Sequence, residues 1–219
     1  DACGPLVMTS ANVSDEPILK DDADVLAIKS GFLDGVLYNT RAIAVRLDDP
    51  VARAAAGRKQ VVRRGRGMAP LPIILPVRAE KPVFAAGGDL KAAFCLLAGD
   101  RAYLSQYLGD LESADAYANY RENAEHLEKL LSVRPEIAAL DLHPDYASAR
   151  FAESLGLPLV RVQHHHAHVA SVLAEHGVLE DAVGVAFDGT GYGEDGAVWG
   201  GEFLICKGAE YERAGHLAA

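Results

Sequence analysis

In the second half of the chain, the spacing of apolar positions predicts strands first and then helices that alternate with strands. Three short apolar runs are followed, from residue 113 onward, by amphipathic segments that alternate with further short apolar runs. This order predicts a mixed α/β sheet made of two similar halves, with the first half and the opening of the second present. In chain order the predicted elements are a strand in PVFAAGG, a hairpin in LKAAFCLLAGDRAYLSQYLGD, a helix in SADAYANYRENAEHLEKLLSV, a strand in IAALDL, a helix in DYASARFAESLG, a strand in PLVRVQ, a helix from His164 to about Glu175, a strand in DAVGVAFD and a final hairpin.

Turn and capping residues mark the ends of several of these elements. Gly99-Asp100 predicts the turn of the first hairpin. Ser113 is suited to cap the first long helix, and Gly177 to end the helix that begins at His164. We predict that the apolar run 158–163, which lies between two helices, is a buried strand.

The first third of the chain has a weaker pattern. PLVMTS, GVLYN and AIAVRL predict short strands, too few to enclose a core of their own. Five of the ten prolines fall between Pro50 and Pro82, and proline interrupts sheet ladders. We therefore expect a partial domain over residues 1–67, a proline-rich linker over 68–80 and a larger domain over 81–219.

Composition narrows the function classes. The chain has 219 residues and a net charge of −10, so neither nucleic acid nor a membrane is an expected partner. No apolar run reaches about 18 residues, and no signal peptide opens the sequence. The three cysteines lack CxxC spacing, which fits a reducing cytoplasm. The chain begins without Met and ends just after a hairpin, so we expect part of a longer protein.

Basic residues are concentrated in one run, GRKQVVRRGRG (57–67). One interpretation is a solvated, mobile connector. The other is a strand edge that faces a phosphate or nucleotide, because guanidinium groups bind such anions well. The sequence leaves both open.

Four histidines fall within five positions in VQHHHAHVASVLAEHG (162–177). On a helix His164 and His168 share one face, and this i,i+4 spacing can hold one metal ion with two imidazoles. His165 stands where metalloproteases of the HExxH type have glutamate, so that class is disfavoured. We expect His165 and His166 to point elsewhere and to orient a ligand. The alternative is a cluster of surface histidines or of histidines satisfied in the core.

Two glycine-rich turns follow apolar runs. In AFDGTGYGEDGAVWGGEF, Asp188 ends a strand and can offer a carboxylate to a cation, while Gly189, Thr190 and Gly191 can present N–H groups to phosphate. The alternative is an ordinary hairpin turn. In AAGGDLKAAF, Gly87, Gly88 and Lys91 predict a second phosphate-facing turn with less specificity. Ligands gather at such strand ends in open α/β sheets.

Taken together, VQHHHAHVASVLAEHG, DLHPDY, AAGGDLKAAFCL, LSQYLGDLE and AFDGTGYGEDGAVWGGEF resemble the hydrogenase-maturation carbamoyltransferases of the HypF family. GPLVMTSANVSDEPI and DDPVARAAAGRKQVVRRGRGMAPLPIILP are similar to the end of that family's YrdC-like domain. The resemblance implies an α/β fold: the first half of a sugar-kinase or actin-like ATPase domain, preceded by the end of a YrdC-like domain.

The resemblance also implies a reaction and its residues. In the family, carbamoyl phosphate and ATP give a carbamoyl-adenylate, and the carbamoyl group passes to the C-terminal cysteine of HypE on the way to cyanide ligands of hydrogenase iron. His164, His168 and Asp188 would hold a divalent metal, iron or zinc, and magnesium would accompany the nucleotide. Gly87, Gly88, Lys91, Gly189, Thr190 and Gly191 would face phosphates. The carbamoyl-adenylate would contact Ser10, Asn12, Arg41, Arg46 and Arg64. The resemblance assigns no further catalytic residue.

The sequence departs from the family pattern at three polar positions. Asn39 stands at a family histidine, Pro50 at a family serine, and Tyr107 where histidine is expected. These changes favour one alternative, a non-catalytic relative that binds nucleotide or a partner. Another alternative is a small-molecule O-carbamoyltransferase, although in that class the transfer domain precedes the YrdC-like domain.

Overall fold

The computed structural model describes residues 4–5, 11–12, 16–28, 36–37 and 40–217. Elements are numbered in chain order within these residues. They are α1 (Asp22–Ala27), β1 (Val51–Ala55), β2 (Arg58–Arg63), β3 (Ile73–Ile74), β4 (Val83–Ala85), β5 (Cys95–Ala98), β6 (Arg101–Leu104), α2 (Ala114–Leu131), β7 (Ile137–Asp141), α3 (Ala147–Ser154), β8 (Leu159–Val162), α4 (His164–His176), β9 (Ala182–Ala186), β10 (Gly191–Tyr192), β11 (Val198–Trp199), β12 (Glu202–Lys207) and β13 (Glu210–His216).

The larger sheet has six strands in the order β3-β6-β5-β4-β7-β8. Strands β4, β7 and β8 run parallel, whereas β3, β6, β5 and β4 pair antiparallel. Gly99 takes the left-handed conformation (φ 62°) in the turn between β5 and β6, as the Gly-Asp pair predicts. The mixed α/β sheet expected from the sequence is confirmed.

Four aromatic rings form the centre of this sheet's core. Phe84, Phe94, Tyr120 and Phe151 contact each other with ring centroids 5.4–5.5 Å apart, in stacked and edge-to-face pairs. Tyr120 reaches them from α2, whose buried residues recur at helical spacing, and its hydroxyl donates to the Ala86 carbonyl at 2.7 Å. Ser113 caps α2 by accepting from the Ala116 N–H, as predicted. The core therefore fixes the end of β4, where the site begins.

The second sheet has three antiparallel strands in the order β13-β12-β9, and α4 packs on it. Val169 of α4 lies against Gly184 of β9 so closely that a Cβ on that glycine would stand 2.3 Å from a Val169 methyl carbon. Glycine at this position thus lets the helix approach the strand, and α4 and β9 form one packed unit.

Replacing Gly184 with alanine is expected to lower the free energy of unfolding by about 1–3 kcal/mol, because the added methyl forces the helix from the strand. The measurement is the thermal midpoint of the full-length protein. Gly215→Ala on β13 is the matched control, since a Cβ there would meet no heavy atom within 4 Å. Equal midpoints for the two variants would contradict the expectation.

Several predicted elements differ from the structure. AIAVRL (42–47) is not a strand, and PLVMTS and GVLYN lie largely outside the described residues. The basic run is mainly strand β2, in a hairpin with β1, so it is a strand and not a connector, although it is exposed to solvent as that interpretation expected. The proline-rich segment 68–80 contains β3, which pairs with β6.

Strand β8 was predicted to be buried, and this is wrong. Leu159 and Val160 are 42% and 48% exposed. The reason is position: β8 is the edge strand of the described sheet and pairs only with β7. No helix within the described residues is long and apolar enough to cross a bilayer.

Candidate metal centre

The carboxyl ends of three parallel strands deliver the site residues to one edge of the larger sheet. Strand β4 leads into Ala86–Gly88, β7 ends at Asp141, and β8 leads through Gln163 into His164. Parallel strands end at the same edge, which is where ligands bind in open α/β sheets. Helix α4 begins there because the Gln163 side chain accepts a hydrogen bond from the His166 N–H and so caps the helix.

His164, His168 and Asp188 meet at this edge, as the sequence predicts. The Nε2 atoms of the two histidines are 3.1 Å apart, because one helical turn separates them. They lie 3.3 Å and 3.4 Å from Asp188 Oδ2. One ligand atom from each of the three residues falls within 4.8 Å of the others. Asp188 lies two residues beyond the end of β9.

Asp188 carries the clearest sign that a cation belongs here. Both its carboxylate oxygens are buried and have no hydrogen-bond partner among the described residues. A buried carboxylate without donors is costly unless a positive charge compensates it. Two imidazole nitrogens and one carboxylate oxygen suit zinc or iron, so the residues present fit such an ion.

Asp141 orients the first histidine, and sequence reasoning missed this role. Its Oδ2 lies 2.7 Å from His164 Nδ1, and its Oδ1 accepts from the His143 N–H at 2.9 Å. The hydrogen bond to Asp141 raises the pKa of His164, against the opposing effect of burial. Carboxylates commonly hold metal-binding histidines in this way. The signal in the sequence was the position of Asp141 at the end of the strand beside HHHAH.

His165 differs from the expectation that it points away. Its Nε2 lies 2.9 Å from Asp188 Oδ1, although the contact is not aligned as a hydrogen bond. Its side chain is fully buried, and burial lowers its pKa. His166 does point away from Asp188, and its ring lies 4.9 Å from that of Tyr211.

Three further rings surround the site and were not singled out from the sequence. His143 stacks on Tyr146 at a centroid distance of 4.1 Å, and the Tyr192 ring meets His143 edge-on at 5.5 Å. Burial, with the charges of Asp141, Asp89 and Asp188, raises the pKa of Tyr146. The neutral phenol therefore persists over a wide pH range next to the acidic groups.

The DGTGYG turn has an exposed part and a buried part. Gly189 and Thr190 are exposed, and Gly189 borders a cleft of about 690 Å³ beside Asp188. Gly191 is buried, and a Cβ there would lie 2.5 Å from His165 Cε1 and 3.0 Å from His164 Cβ. Glycine at 191 is thus needed for close packing on the histidine helix, while Gly189 borders the cleft and Thr190 is exposed to solvent.

The Gly87-Gly88 turn is held by protein groups. Gly87 is left-handed (φ 72°), and a Cβ there would be 2.2 Å from the Ala93 carbonyl oxygen. The Asp89 carboxylate accepts from Ala147 N at 2.7 Å and Ser148 N at 2.9 Å, so it already fills the N-terminus of α3. The Lys91 backbone N–H donates to the Asp110 side chain. These contacts give the turn a structural role, and its phosphate-facing role stays a prediction.

The predicted carbamoyl-adenylate residues are only partly brought together. Asn12 and Arg46 line one cavity of about 230 Å³. Arg64 instead donates to the Met68 and Leu71 carbonyls, and Arg41 is exposed and is not among the residues lining that cavity. Ser10 lies outside the described residues.

The three residues that depart from the family pattern lie in different parts of the chain. Tyr107 lines the cavity that holds Asn12 and Arg46, with the Arg63 guanidinium 4.4 Å above its ring. Pro50 directly precedes β1, and Asn39 lies outside the described residues. Of the three, Tyr107 is placed to affect a ligand in that cavity.

Comparison with known proteins gives the family. The HypF Kae1-like domain matches residues 78–175, and the second subdomain of the carbamoyltransferase Kae1-like domain matches residues 184–219. The chain belongs to the HypF carbamoyltransferase family. A third family model, described as Telomere recombination and covering the Sua5, YciO and YrdC proteins, matches residues 1–65. These matches confirm the predicted fold class, an actin-like domain preceded by YrdC-like sequence.

HypF relatives cover nearly all of the chain. Carbamoyltransferase HypF of Synechocystis is 45% identical over 214 residues, which are 97% of this chain and 28% of the relative. The probable carbamoyltransferase HypF of Methanocaldococcus jannaschii is 36% identical over 216 residues, 96% of this chain and 28% of the relative. The chain thus spans less than a third of the length of these relatives.

Solved HypF structures share the fold. Full-length HypF in a phosphate- and nucleotide-bound form superposes with a TM-score of 0.89 at 45% identity, covering 94% of this chain and 32% of that one. HypF of T. kodakarensis gives a TM-score of 0.87 at 37% identity, covering 96% of this chain and 28% of that one.

Proposed function

We propose that the protein carrying this chain is a cytoplasmic enzyme that uses carbamoyl phosphate and ATP to carbamoylate the C-terminal cysteine of a HypE-like acceptor. This step would supply the cyanide ligands of [NiFe]-hydrogenase. The observation that carries the proposal is the cluster of His164, His168 and Asp188, whose buried carboxylate oxygens have no aligned hydrogen-bond partner within the described part of the chain. Membership of the HypF family supports the reaction class.

His164, His168 and Asp188 would hold a zinc or iron ion. Such an ion polarises a carbonyl or phosphoryl oxygen when bound. The Asp141 carboxylate accepts a hydrogen bond from the Nδ1–H of His164, so the Nε2 lone pair of His164 is directed toward His168 and Asp188. The two imidazoles and the carboxylate are therefore already arranged to converge on one position.

ATP, accompanied by magnesium, would bind beside this centre. The solved HypF relative described as phosphate- and nucleotide-bound supports nucleotide binding in the family. In this chain the cleft beside Asp188 is bordered by Gly189, and with exposed Thr190 next to it the turn offers backbone N–H groups to phosphate. Gly191, Gly87, Gly88 and Lys91 remain proposed phosphate-facing positions with structural contacts of their own.

Transfer to the acceptor is a substitution at the carbamoyl carbon. The cysteine sulfur forms a bond to that carbon, the bond to the adenylate oxygen breaks, AMP leaves, and the thiol proton is lost. Asn12 and Arg46, in the 230 Å³ cavity, would contact the carbamoyl-adenylate, with Ser10, Arg41 and Arg64 as further proposed contacts.

The test uses the full-length protein with ATP and carbamoyl phosphate labelled in the carbamoyl carbon. We expect label on a HypE-like acceptor that ends in cysteine and none on the same acceptor with that cysteine replaced by serine. Label on a small-molecule alcohol instead would assign an O-carbamoyltransferase. No ATP turnover that depends on carbamoyl phosphate would support the non-catalytic relative, for which the cavity position of Tyr107 is the supporting observation.

Replacing Asp141 with asparagine is expected to weaken binding of zinc by about 10–100-fold, because the amide does not raise the basicity of His164 as a carboxylate does. The measurement is a competitive zinc titration of the full-length protein. Asp145→Asn is the matched control, since Asp145 is an exposed aspartate in the loop that follows Asp141. If both variants bind zinc like the unmodified protein, Asp141 does not support the centre.

A further inference from the structure

His165 is buried beside the candidate metal centre without belonging to its ligand set. Its Nε2 lies 2.9 Å from Asp188 Oδ1, while the other carboxylate oxygen, Oδ2, faces His164 and His168 at 3.3 Å and 3.4 Å. The two oxygens of Asp188 thus have separate neighbours. The question is whether His165 presents a proton or a lone pair to Oδ1.

The hydrogen bonds of Gln163 answer this question. The backbone N–H of His166 can only donate, so the Gln163 atom that contacts it at 3.0 Å is the amide oxygen. The other amide atom is then the NH₂ group, which lies 3.3 Å from the Tyr192 carbonyl, a group that can only accept. Two independent partners therefore fix the same orientation of the amide.

This orientation determines the tautomer of His165. The NH₂ group of Gln163 lies 3.0 Å from His165 Nδ1, so Nδ1 must accept. A neutral imidazole whose Nδ1 accepts carries its proton on Nε2, the atom next to Asp188. His164 is held in the opposite way, because its Nδ1–H donates to the Asp141 carboxylate and its Nε2 therefore carries a lone pair in the neutral ring.

The His165 ring is also fixed in place by packing. Gly191 approaches so closely that a Cβ there would lie 2.5 Å from His165 Cε1. The Trp199 ring lies nearly parallel to it at a centroid distance of 6.4 Å. These neighbours restrict rotation of the ring, and the hydrogen bond from Gln163 to Nδ1 favours the orientation seen.

We propose that His165 is a positioning residue: its Nε2–H donates to Asp188 Oδ1 and keeps Oδ2 turned toward His164 and His168, with Gln163 setting the tautomer. This inference rests on the proposed metal site. The contact is close but off the hydrogen-bond axis without a ligand, and such bonds often tighten once the site is occupied. The alternative, that His165 is itself a ligand, conflicts with the proton on Nε2.

Two substitutions of His165 distinguish hydrogen-bond donation to Asp188 from packing of the side chain. In His165→Gln the amide NH₂ can reach the position of the lost Nε2–H, whereas in His165→Asn the shorter side chain cannot. Full-length protein is titrated with Co²⁺, and the visible absorption of the bound ion reports its coordination. His166→Gln is the matched control, because His166 is a neighbouring buried histidine that faces Tyr211.

We expect His165→Asn to weaken Co²⁺ binding by about 10–100-fold with the absorption spectrum retained. His165→Gln and His166→Gln should keep most of the affinity. Equal affinities for the Asn and Gln variants, in proteins with unchanged melting temperatures, would overturn the proposal. A spectrum in His165→Asn that shows the loss of a nitrogen ligand would also overturn it, because His165 would then be a ligand.

If the unmodified protein binds no Co²⁺, that result counts against the proposed metal site. The role of His165 is then tested by crystal structures of the metal-free variants. In these structures the Asp188 carboxylate should turn away from the His164–His168 pair in His165→Asn and stay in His165→Gln. An unmoved carboxylate in both variants would refute the role of His165.

Discussion

Full-length protein in which both His164 and His168 are replaced by alanine is expected to fall from about one zinc or iron ion per chain to almost none. The two Nε2 atoms are 3.1 Å apart and share Asp188 Oδ2 as a neighbour. Removing both leaves one carboxylate, which cannot retain such an ion alone. The measurement is metal content by mass spectrometry after purification.

The control is His176→Ala, which removes an exposed histidine from the far end of the same helix. It should keep the metal content of the unmodified protein. A folded double variant that retains its metal would show that the ion binds elsewhere. Absence of metal from the unmodified protein, even after zinc, iron and ATP are supplied, would favour the non-catalytic relative.

Replacing Arg213 with methionine is expected to lower the free energy of unfolding by about 3–5 kcal/mol. The Glu202 side chain is 0% exposed and accepts from Arg213 Nε at 2.6 Å and Nη2 at 2.8 Å. Without the guanidinium, the buried carboxylate keeps one hydrogen bond from the described residues, that of the Gly200 N–H, 3.1 Å away. The loss also removes the cation–π contact of Arg213 with Trp199, at 3.9 Å.

The matched control is Arg161→Met, which breaks an exposed pair with Glu153, also at 2.6 Å, and should cost at most about 1 kcal/mol. Both variants are compared by thermal unfolding of the full-length protein. In Arg213→Met/Glu202→Gln the buried charge is gone, so part of the stability should return. Equal losses for the two arginine variants would contradict the assignment of a buried pair.

The Glu202–Arg213 pair also makes the stability of the folded protein depend on pH. The hydrogen bonds and charge of Arg213 hold the pKa of Glu202 below its ordinary value in the folded state. The stabilisation is therefore fully present above the unfolded pKa, and is lost as the pH falls through the lower folded value. The difference in melting temperature between unmodified protein and Arg213→Met should accordingly shrink in acid.

Periodicity predicted the larger sheet well because its elements bury one regular face. Helix α2, with Tyr120, Ala124 and Leu127 buried at helical spacing, and β7, with alternate residues buried, both follow their patterns. The predicted burial of β8 was wrong because an apolar run does not reveal whether its strand is central or at the edge of a sheet. AIAVRL pairs with no strand among the described residues, and an apolar pattern alone does not show whether a partner strand exists.

Spacing predicted which residues could bind the metal, but not what orients them. His164 and His168 follow from one helical turn, and Asp188 from the end of a strand. Asp141 reaches His164 because β7 and β8 are neighbours, so its role needed the strand order. Gln163 acts through side-chain hydrogen bonds to residues two and three positions along the chain, which the sequence pattern does not specify. The contacts of the turn at Gly87 and Gly88 were likewise not visible in the sequence, since Asp89 fills the N-terminus of α3 only in the folded structure. Its phosphate-facing role stays a prediction.

The three proposed ligands lie on α4 and just beyond β9, which pack together through Gly184, whereas Asp141 ends β7 of the larger sheet. Helix α4 is also joined to β8 of that larger sheet by a single residue, Gln163. His164 therefore lies where the two sheets meet, with a covalent link to one and helix packing on the other. An ion bound at the proposed centre would add a cross-link between the two sheets, because its ligands come from segments attached to both.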